Sequence, residues 1–380
     1  MTGTVLIVGA GLAGTRCAET LRAEGYDGRV LLAGEEPHPP YERPALSKEL
    51  LAGAKQPADL ALRPDGHWQE HGIELLLGTR VTTIDARART ATTAGGRTLP
   101  WDSLVLATGA RARTLPGLPA GVHLLRTLAD ASALRDELGA TRRLAVVGAG
   151  FVGGEVATSA QALGVAVTVV EAAAAPLERV LGREVGALLA ARYRARGIDL
   201  RLGAGLAGFR RGPEGRLRGV LLADGTEVAC DVAVLGIGAE PVAPQGSPAG
   251  SGGVPTDACG RTALAGIYAC GDAAATFRPS LGRRVRVEHW TSAAAQGEAV
   301  ARAILGRSQP SDEPPFFWSD QLGLRLQHVG HAEGWTQVEL DGTPDSFGAR
   351  YLDADGRLVA ALVANRPREA ARLRRELAAA

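Results

Sequence analysis

The feature that most constrains this chain is a glycine-rich segment that occurs twice. In each copy a run of apolar residues, 5–8 or 144–147, leads into three spaced glycines. This G-x-G-x-x-G pattern predicts a buried parallel strand, a tight turn and a helix that together bind a dinucleotide. Glycine lets the backbone approach a pyrophosphate, and the helix N-terminus favours an anion. The glycines are Gly9, Gly11, Gly14, Gly148, Gly150 and Gly153.

An acidic residue follows each copy at the end of the next apolar run. Residues 30–33 precede Glu35, and residues 167–170 precede Glu171. A carboxylate at this point is placed to bind the ribose hydroxyls of a dinucleotide and to repel a 2′-phosphate. Residues 172–175 include no arginine to receive such a phosphate, which favours NADH over NADPH. The two copies therefore predict two dinucleotides in one chain; the alternative is two ordinary strand-to-helix turns without a nucleotide.

Composition and charge exclude several other classes of protein. A chain of 380 residues with a net charge of +1 has room for two or three domains and no global field for nucleic acid or an anionic membrane. No apolar run reaches the ~18 residues of a membrane-spanning helix, and no secretory leader is evident, so we expect a cytoplasmic protein. The cysteines lack metal-ligand spacing, so we expect no metal site and four buried thiols: Cys17, Cys230, Cys259 and Cys270.

Three further segments complete the organisation of the chain. Residues 35–54 are first proline-rich and then predicted to be helical after Ser47. An apolar strand at 103–106 ends in Ala107, Thr108 and Gly109, where the backbone can approach a ligand closely. A linker at 310–315 precedes a segment with concentrated aromatic residues and alternating strands. We therefore predict an α/β fold with two Rossmann-like dinucleotide-binding domains and a small α+β C-terminal domain.

Eight motifs fall in one order along the chain: GAGLAG, ERPALSK, ATG, GAGFVGGE, GIG, YACGD, VEHWTSA and FFWSDQ. Together they resemble the FAD-dependent NADH:ferredoxin reductases of oxygenase systems, the putidaredoxin reductase and biphenyl-dioxygenase ferredoxin reductase type. The resemblance implies FAD and NADH as cofactors, an iron–sulfur ferredoxin as partner, an oxygenase or cytochrome monooxygenase beyond it, and a monomer or weak dimer. The proline-rich stretches after residue 115, at 241–255 and at 310–315 predict crossings between domains. We therefore expect a discontinuous FAD domain of 1–115 and 245–312, an NAD domain of 116–244 and a C-terminal reductase domain of 313–380.

The same resemblance implies individual site residues. The catalytic residues would be Lys48 near the reactive edge of the flavin, Glu155 near the nicotinamide, and Trp318 of the C-terminal domain. Trp318 and Asp320 would bring that domain over the flavin ring. The FAD-binding residues would be Gly9, Gly11, Leu12, Ala13, Gly14, Glu35, Arg43, Lys48, Val81, Ala107, Thr108, Gly109, Arg126, Gly271, Asp272, Glu288, His289 and Trp290. The NAD-binding residues would be Gly148, Gly150, Phe151, Val152, Gly153, Glu155, Glu171, Gly236, Ile237 and Gly238.

Two details refine this interpretation. Gly154 departs from the family pattern, which has leucine or a similar apolar residue just before the glutamate. Two groups of arginines are candidates for docking an acidic ferredoxin, because opposite charges steer association. They are Arg283, Arg284 and Arg286, and Arg366, Arg368, Arg372, Arg374 and Arg375.

Three alternatives remain open at this stage. A flavin disulfide reductase or peroxidase needs a reactive cysteine near the flavin, and residues 39–48 have none. An NADH-sensing flavoprotein of the apoptosis-inducing-factor type would use nucleotide binding to change its oligomeric state. A third alternative keeps the chemistry and changes the acceptor to rubredoxin or to a nitrite-reductase-type partner.

Overall fold

The computed structural model describes residues 3–310, 312–331 and 333–379. Within these residues the chain forms seven α-helices, of which α5 is kinked at Gly182. They are α1 Leu12–Ala23, α2 His67–Glu70, α3 Leu128–Leu138, α4 Phe151–Ala162, α5 Glu178–Ala195, α6 Trp290–Ile304 and α7 Pro367–Ala379.

The same described residues form twenty-six β-strands. In chain order they are β1 Thr4–Val8, β2 Arg29–Ala33, β3 Ile73–Leu76, β4 Val81–Asp85, β5 Thr90–Thr93, β6 Thr98–Pro100, β7 Ser103–Leu106, β8 Ala110–Ala112, β9 Val122–His123, β10 Arg143–Val147, β11 Ala166–Val170, β12 Asp199–Arg201, β13 Leu206–Arg211, β14 Leu217–Leu222, β15 Glu227–Ala229, β16 Val232–Leu235, β17 Ala239–Pro241, β18 Val254–Thr256, β19 Ile267–Ala269, β20 Ala274–Arg278, β21 Arg283–Val285, β22 Phe316–Gln321, β23 Leu324–Gly330, β24 Gln337–Thr343, β25 Ser346–Leu352 and β26 Leu358–Ala364.

The chain divides into two compact units. The first unit contains Met1–Glu42, Leu60–Arg111 and Glu240–Pro315, and the second contains Arg43–Asp59, Ala112–Ala239 and Phe316–Ala380. The predicted linker at 310–315 has neither helix nor strand in its described residues, and Ser311 lies outside them.

The first unit is built on a parallel sheet in the order β19-β7-β1-β2-β3. One core combines β1 and β2 with α1 and α6, through buried residues such as Leu21 and Val300. A second core combines β1, β2 and β7 with the antiparallel sheet β4-β5-β6, through residues such as Leu6 and Trp101. A parallel sheet with apolar residues on both faces is the arrangement expected for a dinucleotide-binding domain.

The second unit contains an equivalent parallel sheet in the order β12-β11-β10-β16-β9. The antiparallel sheet β13-β14-β15 contributes Leu217 and Val220 to a core shared with Ala145 and Val147 of β10. Helix α3 begins at a capping box, in which the Thr127 side chain accepts from the Asp130 amide and Asp130 accepts in return from the Thr127 amide. The two Rossmann-like sheets confirm the predicted α/β class.

The C-terminal segment forms an antiparallel sheet in the order β22-β23-β26-β25-β24. On one side its Phe347 and Leu362 share a core with Leu181 and Leu189 of α5. Elsewhere Leu373 of α7 packs with neighbouring strand residues in a separate cluster. This confirms the predicted α+β character of the segment, and it places the FFWSDQ motif on the edge strand β22.

One secondary-structure prediction was wrong. The helix expected after Ser47 is absent, because residues 46–53 form turns that follow a short 3₁₀ helix at Arg43–Ala45. The irregular path buries Leu46, Leu50 and Leu51 completely or nearly so. Tertiary packing of these leucines outweighs the local preference for a regular helix.

Candidate functional site

The first glycine turn has a backbone that only glycine fits at two positions. Gly9 has φ +116°, and a Cβ there would lie 2.1 Å from the carbonyl oxygen of Ala107. A Cβ on Gly14 would lie 2.0 Å from the carbonyl oxygen of Gly9. Gly11 differs, because a Cβ there would meet nothing within 4 Å. The turn is therefore tightly packed at Gly9 and Gly14 and has open space at Gly11.

The open side of this turn suits an anion. Gly11 is the N-cap of α1, no side chain caps the helix, and its first turn has no acidic residue. The first N–H groups of a helix lack partners within the helix and carry its positive dipole end. Free space at Gly11 together with this uncapped N-terminus fits the pyrophosphate of FAD.

Other predicted FAD residues of the first unit come together through α6. A Cβ on Gly297 would lie 2.2 Å from the carbonyl oxygen of Ala13, so α1 and α6 are in close backbone contact. Gly271, with φ +70°, donates its N–H to Oε1 of Gln296 at 2.8 Å. A Cβ on Gly271 would lie 3.0 Å from that of Ala13, and Asp272 follows in the same 3₁₀ helix. The YACGD motif therefore lies beside the first turn of α1.

The remaining predicted FAD residues of this unit have varied surroundings. Thr108 donates its hydroxyl to the carbonyl of Val242, and Gly109 has φ +69°. Val81, the first residue of β4, is buried in the core that β4 shares with β1, β2 and β7. Glu35 is exposed, with Oε1 3.6 Å from the guanidinium of Arg80. At α6, Trp290 is the first helical residue, His289 is the N-cap, and Glu288 pairs with Arg286.

The second glycine turn repeats the first. Gly148 has φ +105°, and a Cβ there would lie 2.4 Å from the carbonyl oxygen of Gly236. A Cβ on Gly153 would lie 2.0 Å from the carbonyl oxygen of Gly148, whereas one on Gly150 would meet nothing within 4 Å. No side chain caps α4 at Gly150. The GIG motif at 236–238 therefore packs directly against this turn, and the arrangement fits a second pyrophosphate.

The carboxylate of Glu171 is held by two backbone amides of the second unit. Oε2 accepts from the N–H of Ala149 at 2.7 Å, and Oε1 accepts from the N–H of Ala173 at 2.8 Å. A carboxylate has about four acceptor positions, so two remain for ribose hydroxyls.

At the start of α4, the ring of Phe151 contacts that of Phe317 edge-on, and Val152 is 42% exposed.

A buried cluster around Glu155 joins three distant segments of the second unit. Lys48 Nζ lies 3.3 Å from Glu155 Oε1, and their side chains are 12% and 8% exposed. Ser319 of β22 donates its hydroxyl to the same oxygen at 2.7 Å, and Ser47 donates its hydroxyl to Oε2. Ser159 of α4 in turn donates to the carbonyl of Ser47 at 2.8 Å. The predicted Lys48–Glu155 pair is thus present as a desolvated ion pair with two hydroxyl donors.

Sequence reasoning missed Ser47, Ser319 and Gln321 in this cluster. In β22 the buried residues are Phe317, Ser319 and Gln321, and the alternate residues are only partly buried. Trp318 lies 6.0 Å from the guanidinium carbon of Arg325, and Asp320 pairs with Arg325 at 3.1 Å. The two-residue period of a strand was the signal that would have placed Ser319 and Gln321 on the face opposite Trp318.

Three predicted FAD residues belong to the second unit rather than the first: Arg43, Lys48 and Arg126. Arg43 donates to the carbonyl of Arg126, whose own N–H donates to Asp130 at 3.0 Å. The ERPALSK segment is therefore tied to the start of α3 as well as to α4.

Each of the two arginine groups contains both ion-paired and exposed members. Arg366 pairs with Asp341 and Glu369, Arg372 pairs with Glu369 and Glu376, and Arg374 lies over the ring of Phe316. In the first unit, Arg284 donates to the carbonyl of Thr256 and Arg286 pairs with Glu288. Arg368 and Arg375 are exposed on α7.

All four cysteines are free and buried. Burial raises the pKa of Cys270 to about 12 and that of Cys230 to about 11, and it raises the pKa of Cys17 well above its ordinary value. Such thiols are poor nucleophiles near neutral pH. Among the described residues there is no group of three or more possible metal ligands, and none of their helices is long and apolar enough to cross a membrane.

Comparison with known proteins defines the class. Residues 3–297 match the family described as pyridine nucleotide-disulphide oxidoreductase, and residues 316–380 match the family described as reductase C-terminal. The chain therefore belongs to the pyridine nucleotide-disulphide oxidoreductase family, with a reductase C-terminal domain. This confirms the predicted enzyme class, an oxidoreductase with FAD and NADH as cofactors.

Individual relatives show which members of the family the chain resembles. The chain is 40% identical over 379 residues to the benzene 1,2-dioxygenase system ferredoxin–NAD(+) reductase subunit of Pseudomonas putida, covering 97% of this chain and 91% of the relative. It is 38% identical to the biphenyl dioxygenase system ferredoxin–NAD(+) reductase component of Paraburkholderia xenovorans, with the same coverage. A chain in the crystal structure of the covalent putidaredoxin reductase–putidaredoxin complex superimposes with a TM-score of 0.94 at 34% identity, covering 99% of this chain and 93% of that one. The resemblance to ferredoxin reductases is confirmed.

Proposed function

We propose that this chain is a ferredoxin–NAD(+) reductase, with NADH as electron donor, FAD as bound cofactor and a [2Fe–2S] ferredoxin that serves an oxygenase as acceptor. The observation that carries the proposal is the pair of glycine turns with matching geometry. They occur in one chain whose relatives, along 97% of its length, are named ferredoxin–NAD(+) reductases. When bound, FAD accepts a hydride from NADH and releases electrons one at a time.

The chain's own contribution begins with binding and orientation. We assign the N-terminus of α1 to the FAD pyrophosphate and the N-terminus of α4 to the NADH pyrophosphate, because both are uncapped and open. We assign FAD to residues 1–115 and 245–312, NADH to residues 116–244, and partner contact to residues 313–380. Holding two reactants in a fixed geometry can supply several kcal/mol of the barrier.

Glu171 would select NADH. Its carboxylate is fixed by two backbone amides and has acceptor positions left for the ribose hydroxyls. A 2′-phosphate at the same point would meet a held negative charge. This assignment supports NADH as the physiological donor.

Lys48 would stabilise the negative charge that develops on the cofactor during reduction. Its ammonium is nearly buried and balanced by Glu155, whose two oxygens are fixed by Ser47 and Ser319. In a water-poor environment an oriented charge acts more strongly than in solvent. No protein nucleophile is required for this reaction, in agreement with the buried thiols.

The experiment that tests the proposal is NADH-driven cytochrome c reduction by the purified flavoprotein, with and without a [2Fe–2S] ferredoxin. We expect strong stimulation by ferredoxin and a large preference for NADH over NADPH. A rubredoxin assayed in parallel separates the two classes of acceptor. Flavin reduction without stimulation by any ferredoxin would favour the sensing alternative, and an absence of flavin reduction by both nucleotides would contradict the assignment of the second turn.

A cytoplasmic location and a monomer or weak dimer remain predictions from the sequence. Gel filtration with light scattering, in the presence and absence of NADH, measures the oligomeric state directly. A change of state on NADH addition would support the sensing alternative.

A further inference from the structure

The edge strand β22 places two buried polar side chains against α4. Ser319 is 1% exposed and Gln321 is 2% exposed. Beside them, the N–H of Leu322 donates to the hydroxyl of Thr158 at 2.8 Å, and that hydroxyl donates to the carbonyl of Gly154 at 2.7 Å. Buried polar groups are costly unless they are hydrogen-bonded, so the partners of Ser319 and Gln321 are informative.

The hydrogen bonds of these two residues form a chain with one direction. The Gln321 amide donates from Nε2 to the hydroxyl of Ser319 at 3.0 Å. The Ser319 hydroxyl donates to Oε1 of Glu155 at 2.7 Å. An amide nitrogen is only a donor and a carboxylate is only an acceptor, so the hydroxyl between them has its single proton directed at Glu155. Gln321 therefore fixes the direction in which Ser319 donates.

Gly154 provides the space for this arrangement. A Cβ on Gly154 would lie 1.9 Å from Oε1 and 2.7 Å from Cδ of Gln321. The helix is otherwise regular at this residue, because the N–H of Gly154 donates to the carbonyl of Gly150 at 2.9 Å. The glycine is thus required by the amide that packs on it, not by an unusual backbone conformation. Any side chain at position 154 would displace Gln321.

We propose that Ser319 and Gln321 are positioning residues for the Lys48–Glu155 pair, and that Gly154 is the position that admits them. Through them the C-terminal sheet determines the orientation of a carboxylate on the NAD helix. The inference rests on the proposed function for its catalytic consequence, but the packing relation between Gly154 and Gln321 holds independently of any acceptor.

The first test measures the rate of flavin reduction by NADH, by stopped flow, separately from the Kd of NADH. Ser319→Ala removes one donor from a charged acceptor, so we expect reduction to be about tenfold slower. The Kd of NADH should change less than about twofold, because a positioning residue does not touch the nucleotide. Ser319→Thr retains the hydroxyl and should restore most of the rate. Ser346→Ala removes a hydroxyl from β25, three strands from β22 in the same sheet. It is the control and should leave the rate unchanged.

The second test is a double-mutant cycle between positions 154 and 321, followed by thermal melting as well as by flavin reduction. Alanine normally stabilises a helix relative to glycine. Because of the clash we expect Gly154→Ala to lower the melting temperature and to slow reduction. In a Gln321→Ala background, Gly154→Ala should leave the melting temperature unchanged or raise it, and it should cause no further loss of rate. The nearest atom to the new Cβ at position 154 is then the Tyr193 hydroxyl oxygen, at 3.0 Å.

Two results would overturn the inference. One is a melting temperature that rises for Gly154→Ala in the otherwise unchanged chain. The other is a Ser319→Ala variant with an altered Kd and an unchanged rate of reduction. Failure of every ferredoxin to accept electrons from the unmodified protein would instead count against the proposed function, because neither test uses a ferredoxin.

Discussion

The two glycine turns can be compared residue by residue, because the same hydrogen bonds surround both. The N–H of Gly9 donates to the carbonyl of Ala33 at 2.7 Å, and that of Gly148 donates to the carbonyl of Val170 at 2.7 Å. At the residue that follows each of these acceptors, the backbone N–H of Gly34 donates to the carbonyl of Leu76, and the backbone N–H of Glu171 donates to the carbonyl of Arg201. Gly34 and Glu171 therefore occupy the same position in the two units.

This equivalence shows that the two acidic residues are not counterparts. Glu171 follows its strand directly, whereas Glu35 comes one residue later. In the first unit a Cβ on Gly34 would lie 2.8 Å from that of Ala10, so no side chain fits there without movement. In the second unit the side chain at this position reaches the N–H of Ala149, the counterpart of Ala10. The first unit presents an exposed carboxylate and the second a fixed one.

Under the proposed assignment of FAD to the first turn and NADH to the second, one sequence pattern would support two degrees of selectivity. A cofactor that remains bound needs only the pyrophosphate turn and its many other contacts. A substrate that exchanges in each turnover, and must be distinguished from its 2′-phosphorylated form, gains from a carboxylate that is already oriented.

The largest effects should come from adding a Cβ to each turn. Gly9→Ala and Gly148→Ala both combine a positive φ with a backbone clash. We expect Gly9→Ala to purify with little flavin, and Gly148→Ala to retain flavin but to lose about 100-fold in NADH-driven reduction. Visible absorbance of the purified proteins and stopped-flow reduction measure the two effects. Equal loss of flavin in both variants would contradict the assignment of one cofactor to each turn.

The next largest difference should be between substitutions of Glu171 and of Glu35. Glu171→Gln leaves a backbone N–H facing an amide nitrogen, so we expect kcat/KM for NADH to fall about 10- to 100-fold and the preference for NADH over NADPH to narrow. Glu35→Gln alters an exposed carboxylate, and we expect less than about a threefold change in FAD affinity. Steady-state kinetics and flavin titration of the apoprotein provide the measurements. A larger effect at Glu35 would reverse the comparison.

The arginine groups provide a third contrast between the units. Replacing Arg368 and Arg375 of α7 with alanine removes two exposed charges and should raise the KM for an acidic ferredoxin by about threefold to tenfold and weaken its dependence on salt. In the first unit Arg286 pairs with Glu288, whereas Arg284 is exposed and donates to a backbone carbonyl. Replacing these two arginines removes one compensated and one exposed charge, so it should alter the KM less. Kinetics at several ionic strengths are the test; unchanged values for the α7 variant would exclude this surface.

Thiol reagents should have little effect on either unit. With pKa values of about 12 for Cys270 and about 11 for Cys230, the thiolate fraction near pH 8 is on the order of one in a thousand or less. We expect NADH-driven reduction to survive iodoacetamide treatment of the native protein and labelling to require unfolding. Mass spectrometry locates any adduct, and rapid inactivation with one adduct would favour a disulfide reductase.

The smallest effect concerns two aspartates, Asp102 and Asp231, that occupy equivalent positions in the two units. Asp102 accepts from the N–H of Thr4, and Asp231 accepts from the N–H of Arg143, but only Arg143 adds a guanidinium at 3.0 Å. Its hydrogen bond holds the pKa of Asp231 below the ordinary value. This stabilisation is therefore present above the unfolded pKa of about 4 and is lost as pH falls through the folded value.

Arg143→Thr gives the second unit the residue that the first unit has at the equivalent position, Thr4. The pair is largely exposed, so we expect the free energy of unfolding at pH 7 to fall by at most about 0.5–1 kcal/mol. The difference should vanish at acid pH, where the carboxyl is protonated. Urea denaturation at both pH values checks this, and a difference that grows toward acid pH would contradict the sign.

The sequence by itself determined the two turns, the two parallel sheets and the separate character of the C-terminal segment. Each depends on a local pattern: apolar runs that end in spaced glycines, or alternating residues in short strands. The pairing of Lys48 with Glu155 was also predicted from the sequence, through the motifs that contain them. A local pattern was insufficient at residues 46–53, where burial of three leucines replaced the predicted helix with turns.

Only the tertiary structure decided how Glu155 is held. Ser47 and Ser319 reach Glu155 from segments more than a hundred residues away, and Gln321 reaches it only through Ser319. No local periodicity connects such distant segments. The same holds for Gly154, whose missing side chain has a meaning only once Gln321 is packed against it. The sequence specifies which groups are available, and the packing of distant segments determines which donor meets which acceptor, because hydrogen bonds depend on distance and direction in space.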